Sequence, residues 1–387
     1  MSAARIPILI AAADIESGVT SWALRLRAVL VAHPRYDVRV INCWRTGKGV
    51  GSFDAEITTE AAMRAYLRAH PSAVVMPNFV WELFLLCAEL VKQGLPLRTL
   101  AYAHSDSDAE YYAPLAWLDS TVGRYLAASQ TCADNLGVRL PHRRGEIVSL
   151  PYGVEVPDPL NRNWQAKPLR LIYGGRIVQK QKRVMDFVPL VSALQKNQSD
   201  FTLTIIGSGA QRDELQCALD ALPHGGRVVF QPPVPAASMA QIWRAHDVFL
   251  QVSEFEGTSC SMLEAMAEGC VPFVTDASSG VRGVITPGTN GGIVPIGAME
   301  ELAAQLHQLT VEPSQVQAMG QAAHATAGDY AMPAYAACFI EQIDLLTASP
   351  PRPIGTLTAK RKGTPLESQH RFLKPGLAQR ILERLVS

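Results

Sequence analysis

The chain alternates short apolar runs with longer amphipathic stretches. In the first half, runs typical of buried strands lie at 8–11, 36–42, 73–76, 99–104, 125–128 and 147–150. Stretches with helical spacing separate them, including 19–31, 59–68 and 81–91. In the second half, strands are expected at 169–173, 201–206, 228–230, 248–252 and 271–274, and helices at 261–268, 299–309, 313–326 and 333–346. This alternation predicts an α/β protein with doubly wound parallel sheets.

Length and composition narrow the class of protein. A chain of 387 residues is long enough for two α/β domains, each with its own core. Lys+Arg and Asp+Glu both number 35, so no overall field attracts nucleic acid. The seven cysteines form no Cys-x-x-Cys pair, which argues against a zinc site or a disulfide framework. Since no apolar run reaches the ~18 residues of a spanning helix, a cytoplasmic protein is expected.

The segment 248–275 carries the strongest chemical signal. An apolar strand, a loop with Gly257, Thr258 and Ser259, and a helix follow one another. This order places the helix N-terminus at the carboxyl edge of a parallel sheet, where it suits an anionic ligand. Glu256 and Glu264 flank it, and carboxylates can hold the hydroxyls of a sugar nucleotide. Alternatively, Ser261 and Glu264 form a capping box and Glu256 is a solvated acid.

The same residues resemble the signature of the retaining GT-B glycosyltransferases, family 4. Glu256 and Glu264 are separated by seven residues, and Ala-Met-Ala-Glu-Gly follows at 265–269. The resemblance implies two Rossmann-like domains facing a cleft. It also implies that Glu256 contacts the donor sugar, that the backbone of residues 257–259 holds it, and that Glu264 binds the ribose.

A basic cluster follows the strand at 169–173. Gly175, Arg176 and Lys182 lie in a loop that opens a helix, a place suited to a diphosphate, although such clusters are usually solvated surface. The resemblance implies that Arg176 and Lys182 bind the donor diphosphate. Lys182 is preferred to Lys180 because the helix is expected to begin just after it. Arg183 stands where the family usually has glycine, which leaves the loop geometry open.

Further donor contacts are implied at other strand ends. Gly207 and Gly209 form a Gly-x-Gly turn, which alone is a weak dinucleotide signal. Pro233 and Val234 match the segment that meets the nucleobase in the family. Gly18 either approaches the donor or the acceptor, or is an ordinary turn residue, and both interpretations stay open.

His104 ends the fourth strand of the first half. A lone histidine is more often a structural hydrogen-bonding group, but the resemblance implies that His104 lies near the reacting sugar carbon. The following Asp106, Asp108 and Glu110 lack a trusted metal-ligand spacing, so no metal and no cofactor besides the donor is expected. Whether Tyr111 and Tyr112 stack on an acceptor or pack in the loop stays open.

The expected domain organisation is an acceptor domain (1–156), a linker (157–168), a donor domain (169–330), a returning helix (331–348) and a basic tail (349–387). Residues 351–387 hold eight Lys and Arg and two Glu, a formal charge of +6. The tail is expected to end in an amphipathic helix at 377–386. It either touches an anionic membrane or packs on the first domain.

The function expected from the resemblance is retaining hexosyl transfer. The donor would be a UDP-, GDP- or ADP-sugar and the acceptor a hydroxyl of a glycan or glycolipid in bacterial surface polysaccharide or lipopolysaccharide synthesis. A sugar-nucleotide epimerase of the same fold and a non-catalytic sugar-nucleotide-binding protein are the alternatives, because fold alone excludes neither.

Overall fold

The structure is a computed structural model that describes residues 5–14, 17–43, 52–164, 168–223, 227–355, 381 and 385. The chain forms two compact units. The first comprises Met1–Pro151 and Pro333–Ser387, and the second comprises Tyr152–Met332. Each unit has its own sheet and its own buried apolar core.

The first unit contains a seven-stranded parallel sheet in the order β3-β2-β1-β4-β5-β6-β7. Its strands are β1 (Ile6–Ala12), β2 (Tyr36–Asn42), β3 (Ala55–Glu56), β4 (Val74–Met76), β5 (Arg98–Ala103), β6 (Arg124–Ala127) and β7 (Ile147–Ser149). Its first helices are α1 (Gly18–Leu30), α2 (Glu60–Ala69), α3 (Trp81–Lys92), α4 (Ala113–Trp117) and α5 (Gln130–Arg139). A π-helix, Asp108–Tyr112, precedes α4.

The second unit contains a six-stranded parallel sheet in the order β10-β9-β8-β11-β12-β13. Its strands are β8 (Leu169–Gly174), β9 (Phe201–Ile206), β10 (Val228–Gln231), β11 (Val248–Gln251), β12 (Val271–Thr275) and β13 (Gly292–Val294). Its helices are α6 (Gln179–Lys182), α7 (Phe187–Lys196), α8 (Arg212–Asp220), α9 (Ala236–Arg244), α10 (Cys260–Ala267), α11 (Ser279–Arg282), α12 (Met299–Val311) and α13 (Pro313–Gly328).

The two doubly wound parallel sheets confirm the predicted fold class. The strands are found within a residue or two of their expected limits, because most of their side chains are apolar and buried. The sequence did not predict β3 or β13. The first residue of β13, Gly292, has no room for a side chain because the ring of Phe273 occupies that space: an added Cβ would lie 2.4 Å from Cε1.

The predicted linker is partly packed on the second unit. The Arg162 side chain is fully buried and donates to the backbone oxygens of Trp243 and Glu268, at 3.3 and 3.0 Å, and to Oδ1 of Asp247 at 3.2 Å. Arg170 donates to the same carboxylate at 2.6 Å. Two arginines therefore neutralise one buried aspartate and tie the segment before β8 to the sheet.

The last helix, α14 (Met332–Thr347), packs on the first unit. The indole of Trp22 donates to the hydroxyl of Tyr335 at 2.6 Å. Of the predicted tail helix, only Ile381 and Leu385 are described; both are helical and buried in the first unit's core. This packing agrees with docking of the apolar face on the protein. No helix in the described ranges has the length and apolar character needed to cross a bilayer.

Candidate functional site

The topology of the second sheet singles out one edge. From β8 the chain continues outward to β9 and β10, and then returns to the other side of β8 with β11. Ligands of open α/β sheets bind at such a reversal, outside the carboxyl ends of the strands. The loops after β8 and β11 therefore form the predicted crevice edge, and they contain Arg176, Lys182 and Glu256.

The loop after β8 is held from inside the unit. Tyr173 is buried, and its hydroxyl donates to the carbonyl oxygen of Arg176 at 2.6 Å. Burial and the nearby charge of Glu256 raise the pKa of Tyr173, so the phenol stays protonated. The Arg176 side chain points into solvent, where Nη2 donates to Oε1 of Gln181 at 2.5 Å.

Lys182 and Glu256 form an ion pair across the two loops. Nζ lies 2.5 Å from Oε1, and the two side chains are 18% and 9% exposed. The four-residue α6 ends at Lys182, and a 3-10 turn at Val184–Asp186 then leads into α7, so a helix does begin shortly after this residue. The structure also separates the two lysines: Lys182 faces the loop after β11, while Lys180 is exposed.

Helix α10 begins earlier than expected, at Cys260. Its N-cap is Ser259, whose Oγ accepts from the backbone N–H of Met262 at 3.3 Å. The proposed capping box of Ser261 and Glu264 is therefore wrong, because Ser261 lies inside the first turn. Glu264 projects from the helix toward Trp243, whose Nε1 donates to Oε2 at 3.4 Å.

The glycines at this edge permit close backbone crossings. Gly207 has φ +147°, and an added Cβ would lie 1.9 Å from the carbonyl oxygen of Gly175. At Gly209 the added Cβ would lie 2.0 Å from the carbonyl oxygen of Ile177. Both glycines thus have a structural reason that is independent of any ligand.

The loop 257–259 is supported from the β12 side. The Ser278 hydroxyl donates to the Gly257 carbonyl oxygen at 2.8 Å, and Gly280 crosses the same carbonyl so closely that a Cβ would lie 2.2 Å away. Thr258 and Ser259 are buried. Pro233 and Val234 follow β10, two strands away from β8, and both are partly buried.

His104 and Gly18 belong to the first unit. His104 is buried, and its Nε2 bonds the Asn78 side-chain oxygen at 3.0 Å. Since Asn78 Nδ2 donates to Ala11, its oxygen accepts, which places the histidine proton on Nε2. Burial lowers the pKa of His104 from 6.5 to about 3. Gly18 is the first residue of α1, where Ser17 provides the N-cap; Glu16 lies outside the described residues.

The acidic and aromatic residues after β5 pack within the first unit. Asp106 accepts from the Tyr112 hydroxyl at 2.7 Å and from Asn135 at 2.9 Å, and Asp108 pairs with Arg139 at 2.7 Å. The Tyr111 ring contacts the rings of Trp81 and His104. Across the described ranges, no three His, Cys, Asp or Glu side chains gather as metal ligands would.

Residues 160–326, which include this crevice edge, match the family described as Glycosyl transferases group 1. The matched region is similar to that family and includes the strands β8 to β13. Among its relatives, lipopolysaccharide 1,6-galactosyltransferase of Salmonella typhimurium is 31% identical over 37% of this chain and 40% of its own. GDP-mannose-dependent alpha-mannosyltransferase of Mycolicibacterium smegmatis is 28% identical over 48% of each chain. The chain spans less than half of either relative.

Solved structures are similar in fold to a larger share of this chain than the sequence relatives cover. The apo form of the lipopolysaccharide outer core galactosyltransferase WaaB superposes with a TM-score of 0.67 at 19% identity, covering 87% of this chain and 98% of that one. The likeness in fold extends over most of this chain. It confirms the expected architecture of two parallel α/β sheets.

The structure joins Arg176 to the loop of Glu256 through Gln181, and it pairs Lys182 with Glu256. Gly207 and Gly209 lie against the backbone of Gly175 and Ile177 in the loop of Arg176. Glu264 lies on the neighbouring helix. Sequence reasoning missed Tyr173, Gln181, Trp243 and Asn78, which support Arg176, Glu264 and His104. A polar residue after an apolar strand is the one signal that could have suggested Asn78.

Proposed function

We propose that the protein is a retaining glycosyltransferase that moves a hexosyl unit from a nucleotide-diphospho-sugar to a hydroxyl of a glycan or glycolipid. The observation that carries this proposal is the junction of Arg176, Lys182 and Glu256 at the switch point between β8 and β11. Two cations and one acid at that edge suit a ligand that carries both phosphates and sugar hydroxyls.

The chemistry proposed for the site needs no nucleophile from the protein. Arg176 and Lys182 would stabilise the negative charge that develops on the diphosphate as the glycosidic bond breaks. A donor phosphate oxygen would take the proton of the acceptor hydroxyl on the same face of the sugar. Glu256 holds Lys182 at the crevice edge before the donor arrives and would accept hydrogen bonds from sugar hydroxyls.

Glu264 would bind the ribose, and residues 257–259 would hold the sugar with backbone groups. The loop 257–259 is suited to this role because Ser278 and Gly280 fix its backbone. His104 would place a sugar hydroxyl by hydrogen bonding. Its lowered pKa makes it neutral near pH 7, so it would not act as a cation or a general acid there.

The proposed donors are UDP-, GDP- and ADP-sugars. The proposed acceptors belong to bacterial surface polysaccharide or lipopolysaccharide synthesis, which is supported by the similarity to the Salmonella galactosyltransferase. We place the protein in the cytoplasm; contact of its basic tail with the inner face of the membrane is the open alternative to docking on the protein. There the +6 charge of residues 351–387 would add attraction to anionic lipid.

A thermal-shift screen of UDP-, GDP- and ADP-sugars tests the proposal. A ligand of the folded state at a hundredfold excess over its Kd stabilises it by about 2.7 kcal/mol, so one nucleotide series should raise Tm clearly. Transfer to glycan or glycolipid acceptors is then measured with that donor. No shift with any sugar nucleotide would contradict the proposal, and conversion of the donor to a new sugar without acceptor would indicate an epimerase.

A further inference from the structure

Gln181 contacts both loops of the crevice edge. Its Oε1 accepts from Arg176 Nη2 at 2.5 Å, and its Nε2 donates to the Phe255 carbonyl oxygen at 3.3 Å. One neutral amide therefore joins an arginine of the loop after β8 to the backbone of the loop after β11.

The main chain of Gln181 is fixed as well. Its carbonyl oxygen accepts from the backbone N–H of Glu254 at 2.8 Å, and the next residue, Lys182, forms the ion pair with Glu256. The backbone contact, the ion pair and the side-chain contact to Phe255 hold position 181 against the loop after β11. The amide oxygen that Arg176 meets is consequently well placed.

Arg176 needs such a partner because it is exposed. A long exposed side chain loses rotamer freedom when it is fixed on a ligand, and a preorganised one loses less. A charge-assisted hydrogen bond to an amide oxygen is strong enough to orient the guanidinium. Because the amide is neutral, it leaves the positive charge and the other N–H donors available for an anion, which a glutamate at this position would not do.

We propose that Gln181 is a positioning residue that holds the Arg176 guanidinium ready for the donor diphosphate. This inference rests on the proposed function of Arg176. It assigns to Gln181 no contact with the substrate; the residue acts through Arg176.

The test is a double-mutant cycle with Gln181→Met and Arg176→Ala, singly and together. Methionine keeps the length of the side chain but removes both hydrogen bonds. With UDP-glucose, GDP-mannose or ADP-glucose as donor, Gln181→Met should lower kcat about 10-fold and leave KM within about 2-fold. In the Arg176→Ala protein the same change should cost nothing further. Lys180→Ala, an exposed neighbour on α6, should match the unchanged enzyme.

Several results would overturn the inference: an unchanged kcat in Gln181→Met, or losses that simply multiply in the double variant. Crystal structures of the unchanged protein and Gln181→Met provide an independent result, in which the guanidinium should leave its place beside position 181. If it stays in place, the inference is wrong even where no donor is turned over. If the guanidinium is displaced in the variant but the unchanged protein turns over no donor, the positioning role stands and the proposed function is contradicted.

Discussion

At the scale of single residues, the two cations of the crevice edge have different surroundings. Lys182 is mostly buried against Glu256, whereas Arg176 is exposed and held by one amide. The two side chains share a proposed role in binding a diphosphate, but they therefore contribute differently to the free energy of unfolding. A buried carboxylate that loses its counterion is destabilising, while removal of an exposed arginine usually costs little.

Lys182→Met should lower the free energy of unfolding by about 2 kcal/mol, because it leaves the Glu256 carboxylate buried without a cation. Arg176→Ala should change it by less than about 0.5 kcal/mol. Urea denaturation measures both. The double variant Lys182→Met with Glu256→Gln should recover part of the loss, and an equal loss from Lys182→Met and Arg176→Ala would contradict this account of the ion pair.

The buried His104 makes stability depend on pH. Its pKa is 6.5 in the unfolded chain and about 3 in the folded one, so only the unfolded chain binds the proton between these values. The stabilising contribution is complete above pH 6.5 and is lost as the pH falls toward 3, by about 1.4 kcal/mol per pH unit.

His104→Gln keeps a donor for Asn78 but does not titrate. The free energy of unfolding, measured by urea denaturation from pH 7 to pH 4, should therefore fall less steeply with pH in this variant than in the unchanged protein. Parallel curves for the two proteins would show that His104 is not held neutral by burial.

At the scale of elements, the loops that carry the site contain backbone conformations that cannot be predicted from their residue types. Arg183 adopts the left-handed conformation, φ 47° and ψ 38°, where the resembling family usually has glycine. For a non-glycine residue the left-handed conformation is roughly 1–2 kcal/mol less stable than the right-handed one. The Arg183 side chain bonds Asp186 at 2.9 Å and Glu254 at 2.7 Å, which offsets part of that cost.

Gly207→Ala tests the crossing of the loops after β8 and β9. The new Cβ would overlap the Gly175 carbonyl oxygen at a φ of +147°, so the loops must separate. We expect a loss of about 3 kcal/mol in the free energy of unfolding, together with weaker nucleotide binding. Gly145→Ala is the control, because nothing lies within 4 Å of its added Cβ. Equal stability of the two variants would contradict the role given to Gly207.

At the scale of the whole molecule, the apolar pattern predicts most of the architecture. Runs such as 36–42 and 201–206 become strands with the same limits, because their apolar side chains are buried against the core of a parallel sheet. The pattern fails where packing decides. Position 292 is glycine within a strand because the ring of Phe273 occupies the space of a side chain. Arg162 joins the predicted linker to the second unit through a buried charge on Asp247.

The candidate site was predictable in part for the same reason. Arg176, Lys182, Glu256 and Glu264 have sequence signals, since their spacing after strands matches a family pattern. Gln181 and Trp243 have none, because a side-chain contact between distant segments leaves no local periodicity. The capping box at Ser261 was misassigned because both Ser259 and Ser261 are suitable N-cap residues in sequence. The backbone conformation shows that Ser259 is the N-cap.

The central claim is that this edge of the second unit binds the diphosphate of a sugar nucleotide. The most direct measurement is a crystal structure with the nucleoside diphosphate, among UDP, GDP and ADP, that raises Tm most. Phosphate oxygens are expected within hydrogen-bond distance of Arg176 and Lys182, at the carboxyl ends of β8 and β11. A nucleotide bound elsewhere, with Arg176 and Lys182 free of phosphate, would contradict it.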